Sequence, residues 1–200
     1  MKRLLLLIVI ATFPGANAMA LEEPQYEVLT RIGDIEFRHY EPYIVAEVTV
    51  SRDNQAFRIL AGYIFGDNAE QEKMQMTAPV ERRDRDHAFV MESKYSMDSL
   101  PQPNDDRIQL RERPARIVAV REFSGRWSER SFARHERALL EKLASMGIET
   151  TGAPELARYN SPFTPWFLRR NEIIVPVNWT GMDVVEDSRE HIATEAAARL

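Results

Sequence analysis

The sequence predicts an α+β domain in which antiparallel strands form one sheet or distorted barrel and two helices pack on it. Three observations predict this. The order strand, helix, strand, strand occurs twice, around residues 51–65 and around residues 128–146. The flanking segments alternate apolar and polar residues with a period of two, the mark of strands with one buried face. Both helical segments carry their apolar residues on one stripe, as a helix laid on a sheet must. The two copies share this pattern and not their residues, so the domain reads as a duplicated unit.

The chain opens with a leader. Lys2 and Arg3 precede an apolar run from Leu4 to Phe13, Pro14 and Gly15 break it, and Ala16-Asn17-Ala18 offers an A-x-A cleavage site. This is the pattern of a secretory signal peptide over residues 1–18, shorter than the about 20 apolar residues of a membrane span. The expectation is therefore export to a periplasm, with no stable span after cleavage. Residues 19–179 fit one domain, long enough to bury a real core. There is no cysteine in the 200 residues, which excludes disulfides, thiolate metal sites and covalently attached c-type haem. The whole chain carries a net charge of −5, and loss of the leader removes two further positive charges. Such a chain is a poor general binder of nucleic acid or anionic membrane.

Residues 21–30 lead into the domain, and Tyr26 and Val28 suggest a strand start. Ile35 and Phe37 alternate with Glu36 and Arg38 in a strand over residues 32–40, with turns at Gly33-Asp34 and Glu41-Pro42. In YIVAEVTV, Ile44, Ala46, Val48 and Val50 form one face of the next strand. Ser51 or Asp53 offers an N-cap for the first helix, whose stripe is Ala56, Phe57, Leu60, Ala61 and Ile64. Gly66 supplies the left-handed residue that ends it. A strand is expected over residues 74–80, MQMTAPV, at an edge or bulged because Pro79 has no N–H to give. HAFVMESK reads as its partner across a charged hairpin at residues 82–86. The loop SLPQPNDD comes next. Strands over residues 107–111 and 115–123 begin the second copy. Ser128 caps its helix, with Phe132, Glu136, Leu139, Leu143 and Met146 on one side, and Gly147 ends it. Strands at residues 156–159 and 172–179 flank a Pro-rich crossing over residues 161–166. Residues 180–200 are charged, Ala-rich and short of large apolar side chains, which predicts a loosely docked tail.

EFRHYEPY, YIVAEVTV, AGYIFGDN, MTAPV and SPFTPWFLRRNEI, taken together and in this order, resemble the SOUL haem-binding family over residues 22–179. The resemblance implies a fold related to bacterial effector-binding domains, with a cleft on the pseudo-twofold axis between sheet and helices. It also implies non-covalent binding of haem or another tetrapyrrole there, in an exported bacterial member. In some members the residue after the Arg of EFRHY is a histidine proposed as an axial ligand, which points to His39.

The residues themselves leave the site open. His39 shares a strand face with Ile35 and Phe37, so it either faces a dry pocket as an iron ligand or hydrogen-bonds locally at a strand end. Met74 and Met76 share a face and suit either a flat pocket or the core. Phe57 and Arg58 on the first helix, and Arg169 beside Trp166 and Phe167, supply the apolar face and guanidinium groups a haem with two propionates would use. The same arginines read equally as solvated surface, and the Phe163, Trp166, Phe167 cluster reads equally as a plug for the end of the sheet. No H-E-x-x-H, G-x-S-x-G, P-loop or G-x-G-x-x-G sequence occurs. Two other functions stay in view. One is a hydrolase-like enzyme using Glu172, Glu92 or Tyr95, if one of these faces the cleft. The other is an envelope interaction protein whose cleft is filled by Trp166 and Met76 and whose contact surface is the Pro-aromatic loop and the tail.

Overall fold

A computed structural model describes residues 21–180. The leader read over residues 1–18 and the tail beyond Thr180 lie outside the described residues. Ten strands and two helices alternate as the duplication predicts: β1 (Tyr26–Ile32), β2 (Ile35–Tyr40), β3 (Tyr43–Thr49), α1 (Asp53–Ile64), β4 (Val80–Arg83), β5 (Asp86–Val90), β6 (Gln109–Arg113), β7 (Arg116–Phe123), α2 (Glu129–Ser145), β8 (Glu149–Thr150), β9 (Glu155–Arg158) and β10 (Asn171–Asn178). Every strand pairing between them is antiparallel, and the sheet runs β1-β2-β7-β10-β9-β4-β5-β3-β6, with β8 on the end of β10.

The pairing shows the duplication directly. In the first copy, β3 pairs with β5 and β6, and β5 pairs with β4. In the second, β7 pairs with β10 and β2, and β10 pairs with β9. The copies meet where β4 pairs with β9, Val80 opposite Arg158 and Arg82 opposite Leu156.

Alternation along the strands sorts side chains onto two faces. On one face α1 packs over β3 and β5, burying Ala56, Leu60, Tyr63 and Ile64 against Ala46, Val48 and Phe89. On the same face α2 packs over β7 and β10, burying Phe132, Leu139 and Leu143 against Ala119, Ile173 and Val175. The other face carries no helix, yet Tyr40, Val118, Val120, Ala157, Tyr159 and Ile174 are buried on it. The sheet curls over this face and encloses it. That is why Ala88 and Val90, as well as Phe89 and Met91, are buried on β5 and at its end: both faces are covered.

The helix ends agree with the sequence only in part. Ser128 Oγ accepts the Ser131 N–H at 3.3 Å, and Gly66 and Gly147 take φ of +110° and +70° just past their helices. α1 is different. Its N-cap is Arg52, with no side-chain cap, because the Asp53 carboxylate is held by arginines across the seam. The Met-rich strand is also absent. Residues 74–76 are irregular, β4 starts only at Val80 after a cis Ala78–Pro79 bond, and β4 lies mid-sheet and not at an edge. Pro79 falls just outside the ladder, so its missing N–H costs no pairing.

The enclosed face contains two buried ionic clusters. Glu172 is fully buried and accepts from Arg38 at 3.0 and 3.1 Å, Tyr159 at 2.7 Å and Arg170 at 2.9 Å. Against the cost of burying Arg38, Glu172 holds its guanidinium firmly charged. At the seam, Glu81 on β4 and Glu155 on β9 lie among Arg83, Arg113, Arg116 and Tyr43. Burial, with the charge of Glu155 nearby, pushes the Glu81 carboxyl up to about 7.

Each cluster has a variant that tests it. Glu172→Ala strands buried guanidinium groups and should cost about 3–5 kcal/mol, read as a lowered urea midpoint at unchanged slope. Glu81 is protonated in the fold across the window between the ordinary carboxyl value and about 7, while the unfolded chain has already released that proton. Its contribution is therefore present at low pH and lost as pH rises through that window. Glu81→Gln should remove the fall, so that the difference in urea midpoint between variant and parent grows from pH 5 to pH 8 and then levels.

Candidate functional site

The seam on the helix-bearing face is charged, and this shapes the site. Arg82 on β4 and Arg158 on β9 project toward the start of α1, where Asp53 Oδ2 accepts from Arg158 at 2.8 Å and Asp53 Oδ1 lies 3.6 Å from Arg82. Arg82 also forms a two-pronged pair with Glu129 at the start of α2, at 2.7 and 2.8 Å. One arginine thus ties the N-terminal turns of both helices to the middle of the sheet. His87 sits buried behind, its Nδ1 3.9 Å from Asp53.

Charge states depend on these neighbours. Burial raises the Asp53 carboxyl, but Arg158 and Arg82 outweigh it and hold the group below its ordinary value. Burial lowers the Arg158 guanidinium and the His87 imidazole, with Asp53 opposing in both.

The two helices do not close over this seam. Beside α1 lies a cleft of about 590 Å³, walled by Asp53, Asn54, Phe57 and Arg58 of α1, floored by Val80, and bounded opposite by Trp127 just ahead of α2, Arg158 of β9, and Asn160 and Pro162 of the β9–β10 connection. That volume lies within the usual range for small-molecule sites, and the walls are mainly apolar with a few polar groups. Phe57 is 46% exposed despite its place on the apolar stripe, and packs edge-on against Phe89 at 5.4 Å. Trp127 is fixed by its indole N–H, which donates to Asn171 Oδ1 at 2.7 Å, with the Arg158 and Arg169 guanidinium groups 5.2 and 4.3 Å from its ring centre.

Of the residues singled out from sequence, Phe57 and Arg58 line this cleft and the others do not. His39 lies at the far end of β2, its side chain 38% exposed and 3.9 Å from Glu41. It shares a face with Ile35 and Phe37 as alternation requires, but it sits at the strand end, beyond the packed core and far along the sheet from the seam. Met74 is buried under α1 and Met76 packs beside it, so the pair serves the core. Arg169 is spent on the backbone, donating to Thr164 O at 2.9 Å and Pro162 O at 2.7 Å. Trp166 stands half-exposed on a short 3-10 turn, Trp166–Leu168, and fills no cleft. None of Glu172, Glu92 and Tyr95 lines the cleft. Glu92 accepts the Gln75 N–H at 2.9 Å and Tyr95 donates to Glu72 at 2.5 Å. Sequence patterning does not single out Trp127, Arg158, Asn160 and Pro162. The one signal it carries is the proximity of Trp127 to the Ser128 cap and of Asn160 and Pro162 to the aromatic loop.

Fold and cleft together define a duplicated α+β domain of effector-binding-like fold. The chain belongs to the SOUL family: the model of the SOUL heme-binding protein family matches residues 21–176. The solved structures it resembles agree on the fold. The C-terminal domain of EcmrR is 13% identical at a TM-score of 0.54, covering 78% of this chain and 99% of its own. A hydrolase from Listeria innocua is 10% identical at a TM-score of 0.52, covering 75% and 94%. At these identities the likeness shows the fold alone. No curated protein matches the chain. Among the described residues no helix is long and apolar enough to cross a membrane, and no group of three metal-ligating side chains occurs.

Asp53→Asn should leave Arg82 and Arg158 facing each other without their shared carboxylate and lower the thermal midpoint at pH 7. Because the Asp53 value is depressed, its contribution is present above the ordinary carboxylate range and lost as pH falls through the folded value. Parent and variant midpoints should therefore converge as the pH falls below the ordinary aspartate range.

Proposed function

We propose that this chain binds haem or a related tetrapyrrole non-covalently in the cleft between α1 and the β9–β10 connection, and that it holds the macrocycle through its faces and not through its metal. The observation that carries the reading is the lining of the cleft in a SOUL-family chain. Phe57, Val80, Trp127 and Pro162 offer flat apolar surface, and Arg58 stands at the rim with no ion pair among the described residues. These suit a planar ring with carboxylate substituents. Among the described residues, the lining contains no imidazole, thioether or phenol to offer as an axial ligand. When bound, haem would supply its own iron chemistry. The chain supplies apolar contact, a cationic rim and partial exclusion of water. Export to the periplasm, from the leader pattern, is part of the same proposal.

Titration with haemin and with metal-free protoporphyrin tests the reading. Both should bind saturably, with Soret shifts and affinities within about threefold of each other, since apolar burial sets the energy. Phe57→Ala should weaken both by about tenfold, the loss of one buried aromatic contact. His39→Ala should change neither. Spectra matching the free pigments at every ratio would overturn binding. Binding of haemin alone, abolished by His39→Ala, would overturn the metal-independent mode.

A further inference from the structure

The β9–β10 connection carries more than the fold requires. Its counterpart in the first copy, β4–β5, is a tight hairpin across residues 84–85, whereas residues 159–170 join β9 to β10. This second connection exposes Phe163 (95%), Trp166 (48%), Phe167 (58%) and Leu168 (64%) side by side in the chain. The expectation that this cluster plugs the end of the sheet is therefore not met, since such apolar exposure covers nothing within the described residues.

The loop is nevertheless well ordered by its own bonds. Thr164 N–H donates to Ser161 O at 3.0 Å, and Leu168 N–H donates to Pro165 O at 2.9 Å. Trp166 O accepts from Gly125 at 3.0 Å, and Arg169 binds the carbonyls of Pro162 and Thr164. Five carbonyls of the connection, four of them within residues 162–168, are thus satisfied by the protein's own donors. A backbone entering a medium poorer in water needs that satisfaction. Trp and Phe side chains are the ones that sit well at the level of lipid headgroups. Arg126 lies over the Trp166 ring at 5.8 Å and makes no ion pair with an acidic group among the described residues. The chain as a whole is acidic, but charge is screened beyond about 10 Å, so the Arg126 cation beside the tip weighs more than the distant acidic groups.

We infer that residues 162–168 form a docking tip that inserts its aromatic side chains into the headgroup region of an anionic bilayer, with Arg126 on the lipid phosphates. Because Pro162 also lines the cleft, docking sets the cleft mouth beside the lipid surface, the source from which an apolar ligand would pass. The inference does not depend on what the cleft holds.

The absence of cysteine allows a site-specific test on the full chain. Phe163→Cys is labelled with an environment-sensitive fluorophore and mixed with vesicles of phosphatidylethanolamine and phosphatidylglycerol. The label should brighten and shift to the blue. Apparent affinity should fall about tenfold with Phe167→Ser and about fivefold with Arg126→Ala, and should weaken with salt. Leu168→Ser stands in if Phe167→Ser fails to fold by circular dichroism. No response to either these vesicles or phosphatidylcholine overturns the inference in favour of a protein partner. Equal response to phosphatidylcholine overturns the anionic surface. A response unchanged by Phe167→Ser and Leu168→Ser overturns the tip as the inserting element.

Discussion

The arrangement of this domain depends on one carboxylate at the seam between its two copies. Asp53 receives Arg158 from β9 and lies beside Arg82 from β4, so it joins the first residue of α1 to both central strands. Arg82 passes the connection on to Glu129 at the start of α2. Without those partners the two arginines would be like charges on neighbouring strands under a helix layer, an arrangement that disfavours folding. With them, each helix is anchored at its N-terminal turn, where an acidic residue also meets the positive end of the helix dipole. The charged seam cannot be covered by apolar helix surface. The helices therefore pack over their own halves and leave the middle uncovered, and the cleft is what remains.

The same logic runs through to the enclosed face. β4 and β9 each present alternate residues to the two sides, so a seam that is ionic above is ionic below. There the pair Glu81 and Glu155 is embedded among arginines and Tyr43, and burial keeps a proton on Glu81 into the neutral range. The domain thus rests each copy mainly on apolar packing and joins the copies along the β4–β9 seam by ion pairs, with a further buried cluster around Glu172 inside the second half. Apolar burial gives each half its stability, and the directed hydrogen bonds of the arginines fix how the halves register. This also accounts for the many arginines in an acidic chain, since planar forks reach two carboxylate oxygens at once where a lysine offers a single point.

How much of this is legible in the sequence divides along the same line. Period-two and helical patterning carry the fold class, the duplication and most strands, because burial of apolar faces acts locally and leaves a periodic trace. Ser128 and Gly147 mark the ends of α2 because capping is local too. Ion pairs leave no such trace. Asp53 reads as a helix cap because nothing in its neighbours announces Arg158, which is 105 residues away. For the same reason Arg169 reads as a free cation although it braces its own loop. Met74 and Met76 read as a strand because their alternation is real, yet the segment packs under α1 without pairing. Of the cleft, Phe57 and Arg58 are legible because they belong to a recognisable helix. Trp127, Arg158 and Pro162 converge on it from separate elements of the second copy and are not.

The difference between the two copies is the sharpest guide to function within the chain itself. Features present in both are what a strand–helix–strand–strand unit needs to fold. Features present in one are free of that need. The β4–β5 and β9–β10 connections do the same topological work, and two residues suffice for the first. The ten additional residues of the second include Asn160 and Pro162 of the cleft wall and all four exposed large apolar side chains of the tip. Exposing those side chains costs solubility and gains no packing, and long connections on a rigid scaffold are where proteins place recognition. The cleft and the tip are therefore one departure from symmetry and not two separate features. Any account of what enters the cleft has to include the surface that the tip meets.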